Sequence, residues 1–224
     1  MSGADLVPRP YPCAPRSPAV TFSPPAPPAF ADCTPRQKAA RLVSDGLAPA
    51  NMVVALLLLI GGHSGASWTG LGWGLLAALF CGAAPIAIIV VGVRRGSLTD
   101  PHIRVRGQRI VPMALSLLCV LAGVVLLRAL GAPAEVFALV VAMLVGLVSS
   151  LLVTVVWQIS IHMAVAAGAV MILLLVFGPR VLPAVLIAAA VAWSRLVLRA
   201  HTPAQLLAGT ALGGTSALTF VLLS

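Results

Sequence analysis

From Arg41 onward the chain alternates long apolar runs with short polar breaks. Seven runs can be marked, about 47–62, 71–93, 111–130, 136–157, 163–177, 181–198 and 204–223. A bilayer core of about 30 Å is crossed by roughly 20 helical residues, so each run predicts a membrane helix, with the first and fifth on the short side. The third and fourth runs are separate elements. One helix over 111–157 would be about 70 Å long, and Gly131-Ala132-Pro133 supplies a break, so the two form a hairpin. The expected fold is an all-α integral membrane protein, a bundle of about seven transmembrane helices occupying residues 41–224.

The segment ahead of the runs has a different pattern. Residues 1–40 hold the prolines from Pro8 to Pro35 and few large apolar side chains. Such a segment cannot pack a core, so an extended, disordered tail is expected there. It has no continuous apolar stretch followed by a small-residue cleavage site, which leaves the first run, near Leu47 to Gly62, as the insertion signal.

Composition agrees with the pattern and narrows the function classes. Hydrophobic residues make up 60% of the chain and charged residues 8%, with a mean hydropathy of +1.09. A water-soluble domain carries about a quarter of its residues as charges, so a soluble globule is excluded. The net charge of +9 raises nucleic acid as a partner, but the basic residues are scattered over the ends of the apolar runs. There they face lipid headgroups or an anionic substrate, so membrane lipids are the expected partners and nucleic acid is not. Cys13 and Cys33 lie in the tail, and Cys81 and Cys119 lie inside apolar runs, without metal-ligand or disulfide spacing. With no Asp/Glu cluster either, no metal or other cofactor is expected. The small-residue stretches 164–168, 188–192 and 204–214 read as close helix contacts.

Three polar clusters stand at run boundaries: His102 to Arg109, Ser160-Ile161-His162, and Ser194-Arg195 followed after five residues by His201. Two runs separate the first cluster from the second, and two more separate the second from the third, so all three return to one membrane face. Together they hold the parts of a phosphoryl-transfer site. Charge spread over three phosphate oxygens calls for fixed, forked donors, which Arg supplies. Imidazole can be set neutral to attack or protonated to donate near neutral pH. Arg36, Lys38, Arg41, Arg94 and Arg95 lie on the same face as the clusters, and Arg128 and Arg180 on the other. The positive-inside rule therefore puts the N-terminus and the site in the cytoplasm, in a multi-pass plasma-membrane protein with its C-terminus outside.

Ser194-Arg195-x5-His201 at the start of the last run resembles the third motif of the type 2 phosphatidic acid phosphatase superfamily, the lipid phosphate phosphatases. Ser160-Ile161-His162 is similar to its second motif, and His102 with Arg109 keeps the spacing of its first. The stretch from Arg199 to Gly214 and the one around His162 look especially like multi-pass actinobacterial members, and the resemblance extends over roughly residues 40–222. It implies a lipid phosphate or pyrophosphate as substrate, with His201 as the nucleophile that becomes a phosphohistidine and His162 as the general acid. It also implies that Arg109, Arg195 and the Ser160 hydroxyl hold the phosphate oxygens, with His102 standing where the family has Lys. Departures accompany the matches. Gln205 occupies the position of the Asp that orients the nucleophile, Gln158-Ile159-Ser160-Ile161 replaces Pro-Ser-Gly, and Ile110 replaces Pro. Gln205 can still accept a ring N–H through its carbonyl, but it brings no negative charge. The competing reading is a catalytically inactive relative that serves as a structural or lipid-binding membrane protein. A transporter fits less well, since Arg128 and Glu135 lie at run ends and not at mid-depth. Phosphatidic acid, phosphatidylglycerophosphate and polyprenyl phosphates or pyrophosphates all remain candidate substrates.

Overall fold

A computed structural model of the chain describes residues 30–65, 68–99, 103 and 105–224. Among the described residues there is no strand. The helices are α1 (Pro35–Gly46), α2 (Pro49–Ser64), α3 (Trp68–Ala78), α4 (Ala84–Arg94), α5 (Ile110–Ala129), α6 (Ala134–Val156), α7 (Ile161–Phe177), α8 (Val185–Val197) and α9 (Pro203–Leu223). A five-residue π turn, Leu79–Ala83, joins α3 to α4, and the Ala84 N–H donates to the Leu79 carbonyl five residues back. Among the described residues, five continuous helical stretches are long and apolar enough to cross a membrane: 68–94, 107–129, 134–156, 161–197 and 203–223. The pair α1 and α2, bent by 46°, makes a sixth candidate. The outward faces match that environment. Val111, Leu118 and Val125, seven residues apart on α5, are all exposed, forming the kind of apolar stripe that a soluble monomer does not leave open to water.

The count of five or six differs from the expected seven because 161–197 is one unbroken helical stretch. It is not straight. Gly178 takes φ 72° and ψ −165°, a region essentially reserved for glycine, and a 3-10 segment from Gly178 to Ala184 follows it. Beyond that bend α8 packs back on α7. A straight helix would put His162 and Arg195 about 50 Å apart, yet both line one cavity. Each of the seven apolar runs therefore has its own helical leg, and the fifth and sixth form a hairpin. The expected break between the third and fourth runs lies where the sequence places it: Gly131 takes φ 73°, and the Ala132 N–H closes the end of α5 on the Leu127 carbonyl at 3.0 Å.

The N-terminal segment departs from expectation. Residues 1–29 of the anticipated tail lie outside the described residues, but regular structure begins at Phe30 and α1 starts at Pro35, inside the stretch assigned to the tail. The cause is local. The Gln37 N–H donates to Thr34 Oγ1 at 3.3 Å, the Thr34 N–H donates to Gln37 Oε1 at 2.9 Å, and Pro35 fills the first helical position, together a capping box. Pro35 thus starts a helix instead of ending a disordered stretch. One face of α1 buries Ala40 and Ser44, and the helix packs on α8.

Close backbone contact organises the bundle. The most extensive pairing is α7 with α9, where Gly168 faces Gly213. Next comes α2 with α3, through Gly61, Gly70 and Gly74. Leu57, Ile60, Leu127, Leu139 and Val140 form the fully buried center of the main apolar cluster. The ends of α2, α6 and α7 that meet on the face away from the polar clusters are fastened there. Ser64 Oγ donates to Glu135 Oε2 at 2.7 Å, and the His63 ring meets Phe177 edge-on at 4.9 Å.

Candidate functional site

The spacing between Arg195 and His201 is the product of two caps. At the end of α8, Arg199 adopts the left-handed conformation with φ 48°, the Ala200 N–H donates to the Arg195 carbonyl at 3.0 Å, and the Arg199 N–H donates to the Leu196 carbonyl at 3.0 Å. This is a Schellman closure with Arg in the position usually held by Gly. Two residues later Thr202 caps α9. The Gln205 N–H donates to Thr202 Oγ1 at 3.4 Å and the Thr202 N–H to Gln205 Oε1 at 3.0 Å. His201 is held between the end of one helix and the start of the next.

The second cluster is fixed against the third. Ser160 caps α7, its Oγ accepting the Met163 N–H at 3.4 Å, which places His162 in the first turn. The Ser160 N–H donates to the Gln205 backbone carbonyl at 3.3 Å. Gly209 lets the two helices close at this level, since a Cβ there would lie 2.6 Å from the Ser160 carbonyl oxygen. Arg109 joins the first cluster to the second: its Nε donates to the Ile103 carbonyl at 2.6 Å and its Nη1 to the Ile159 carbonyl at 3.3 Å.

Arg109, His162, Arg195 and His201 are 6%, 7%, 3% and 5% exposed, and all four line one cavity of about 550 Å³. The same-face convergence expected from counting runs is therefore present for these residues. His102 lies outside the described residues, as does Asp100. Ser160 and Gln205 are beside the cavity but not part of its lining. The Ser160 hydroxyl and the Gln205 side-chain Oε1 are both engaged as helix caps, a competition for their oxygen atoms that the motif spacing does not reveal. Gln158, two residues before Ser160, buries an amide nitrogen that has no hydrogen-bond partner among the described residues.

Below this polar end the cavity becomes apolar. Its lining reaches Val120 on α5, Ile172 on α7 and Ser216 on α9. Counted from Arg109, His162 and Pro203 at 1.5 Å per residue, each helix gives a depth of about 15–20 Å. Among the described residues, two guanidinium groups at the polar end face a lining with one carboxylate, Asp45, so the charge balance there favours an anion. Asp45 and Asn51, from the end of α1 and the start of α2, were not anticipated as part of the site. The Thr34 to Gln37 capping signature was the available signal that a helix would deliver them. Comparison of the chain with protein-family models, curated proteins and solved structures yields no match.

Proposed function

We propose that the chain is a membrane-embedded phosphatase that hydrolyses a lipid phosphate or pyrophosphate through a phosphohistidine. The observation that carries the reading is the junction of two buried arginines and two buried histidines with an apolar shaft running about 15–20 Å into the bundle. A soluble phosphate ester has no use for that shaft, whereas a lipid puts its headgroup at one end and its chain along the other. The resemblance of the three clusters to the type 2 phosphatidic acid phosphatases supplies the roles.

In this reading Arg109 and Arg195 hold the non-bridging oxygens and offset their charge as it spreads in the transition state. His201, neutral, attacks phosphorus. The bond from phosphorus to the lipid oxygen breaks, and His162, protonated, gives its proton to the departing oxygen. Water then attacks the phosphohistidine, His162 takes back a proton, and inorganic phosphate leaves with His201 restored. The site opens toward the cytoplasmic leaflet of the plasma membrane, on the face carrying Arg36, Lys38, Arg94 and Arg95.

A second reading, a non-catalytic lipid-binding or structural relative, is favoured by one observation. The Gln205 side-chain Oε1, the nearest equivalent of the family's orienting carboxylate, accepts the Thr202 N–H. Phosphate release from phosphatidic acid, phosphatidylglycerophosphate and polyprenyl phosphates and pyrophosphates by purified protein in detergent separates the two. His201→Ala abolishes release if the phosphatase reading holds, and His162→Ala slows it by removing the acid that protonates the departing lipid oxygen. Absence of release from every member of the panel, by wild type and by Gln205→Asp alike, rejects the phosphatase reading.

A further inference from the structure

We infer that Ser44, on the helix ahead of the first membrane leg, is a positioning residue that sets the Arg195 guanidinium for phosphate. The inference rests on the phosphatase reading for the role of Arg195, and on the structure for the contact. Arg195 Nη1 donates to Ser44 Oγ at 2.7 Å across a separation of 151 residues. Both side chains are buried, Ser44 at 2% and Arg195 at 3% exposure. A serine inside a helix ordinarily turns to solvent or back to the carbonyl one turn earlier. Here the hydroxyl oxygen points away from its own helix to a cation on α8.

The surroundings make the contact a fixed one. Ala40, fully buried and one turn before Ser44, shares its face and brings α1 against α8. The capping box at Thr34 holds the start of α1, and Lys38 and Arg41 flank the Phe30 ring at 5.8 and 5.9 Å. Asp45, the next residue, lines the cavity that Arg195 lines. An Arg side chain loses about 2 kcal/mol of rotamer entropy when it is fixed. A partner that fixes it before substrate arrives lowers the cost of binding. Ser44 accepts one of the five guanidinium N–H groups.

Two measurements on the full chain in detergent test this: phosphate release from the lipid panel, and binding of inorganic phosphate by calorimetry. Ser44→Ala is expected to raise KM and weaken phosphate binding by roughly tenfold or more, the scale of one hydrogen bond to a charged group, with a smaller change in kcat. Ser44→Thr, which keeps the hydroxyl, restores most of the loss. Ala40→Gly loosens the same interface without touching Arg195 and leaves phosphate binding near wild type. In an Arg195→Gln background Ser44→Ala has no further effect, a coupling that a purely structural role does not produce. Unchanged KM and phosphate binding in Ser44→Ala, or equal losses in Ala40→Gly, overturn the inference. If wild type binds phosphate but hydrolyses no lipid, the phosphatase reading fails alone and Ser44 is judged on binding. If wild type does neither, both are rejected.

Discussion

Replacing Gly209 by Ala tests the geometry of the site at its tightest point. The added Cβ would lie 2.6 Å from the Ser160 carbonyl oxygen, 3.2 Å from Met163 Cβ and 3.3 Å from the Ala164 nitrogen. Two of these three are backbone atoms of α7, and the Ser160 carbonyl already accepts the Ala164 N–H at 3.0 Å, so no flexible side chain can yield. Reaching an ordinary contact of 3.4 Å requires α9 and α7 to part by about 0.8 Å, the difference between 3.4 and 2.6 Å. Overpacking of this kind costs about 1–3 kcal/mol. The displacement falls where the Ser160 N–H meets the Gln205 backbone carbonyl, within about one turn of His162 and His201. A misplacement of about 1 Å in a catalytic constellation can cost roughly 10²-fold in rate. Thermal unfolding in detergent should therefore show a lower midpoint for Gly209→Ala, and lipid phosphate hydrolysis should fall by about that factor. Gly72→Ala is the matched control, since nothing lies within 4 Å of its Cβ position on α3; it should leave both quantities at or above wild type. Equal stability and activity in the two variants would refute the close α7–α9 contact at Gly209.

Other outcomes follow from features of the same region. Arg199 is exposed and holds a left-handed conformation that costs an L-residue roughly 1–2 kcal/mol. Arg199→Gly should stabilise the chain by about 0.5–1 kcal/mol after glycine's own entropy is counted, with hydrolysis unchanged, as thermal unfolding and phosphate release would show. Gln205→Asp should raise kcat, since replacing an orienting Asp by its amide can cost up to about 10⁴; the shorter side chain should also weaken the bond to the Thr202 N–H and lower the unfolding midpoint. A reporter fused after Ser224 should read as extracytoplasmic and one inserted after Arg95 as cytoplasmic; the reverse would move the site to the outer face.

Much of the fold was legible because hydrophobic run length and glycine or proline breaks act locally. Gly131-Ala132-Pro133 ends one helix and begins another wherever it occurs. The convergence of Arg109, His162, Arg195 and His201 was legible by a topological count, since an even number of crossings returns a chain to the same face. What was not legible depends on partners distant in sequence or on competition for an atom. No pattern around Ser44 points to a cation 151 residues away. Ser160 and Gln205 occupy motif positions that the resemblance marks, Gln205 in place of an Asp, yet each side-chain oxygen is also the acceptor that completes a helix start. The start of α1 was misread for a different reason: proline density suggested a tail, while Thr34 and Gln37 carried a stronger local signal.

The π turn at Leu79–Ala83 makes one membrane crossing present two different faces. A residue added to a helical turn rotates everything beyond it by about 100°. Above the turn, α3 keeps Gly70 and Gly74 against α2; below it, α4 turns Pro85, Ile86 and Ile89 to the cavity. The wide turn is thus a phase shifter, and the register of the shaft wall is set by a single extra residue. Deleting one residue there would preserve composition, hydropathy and helix content while swinging a lipid-facing strip of α4 into the shaft.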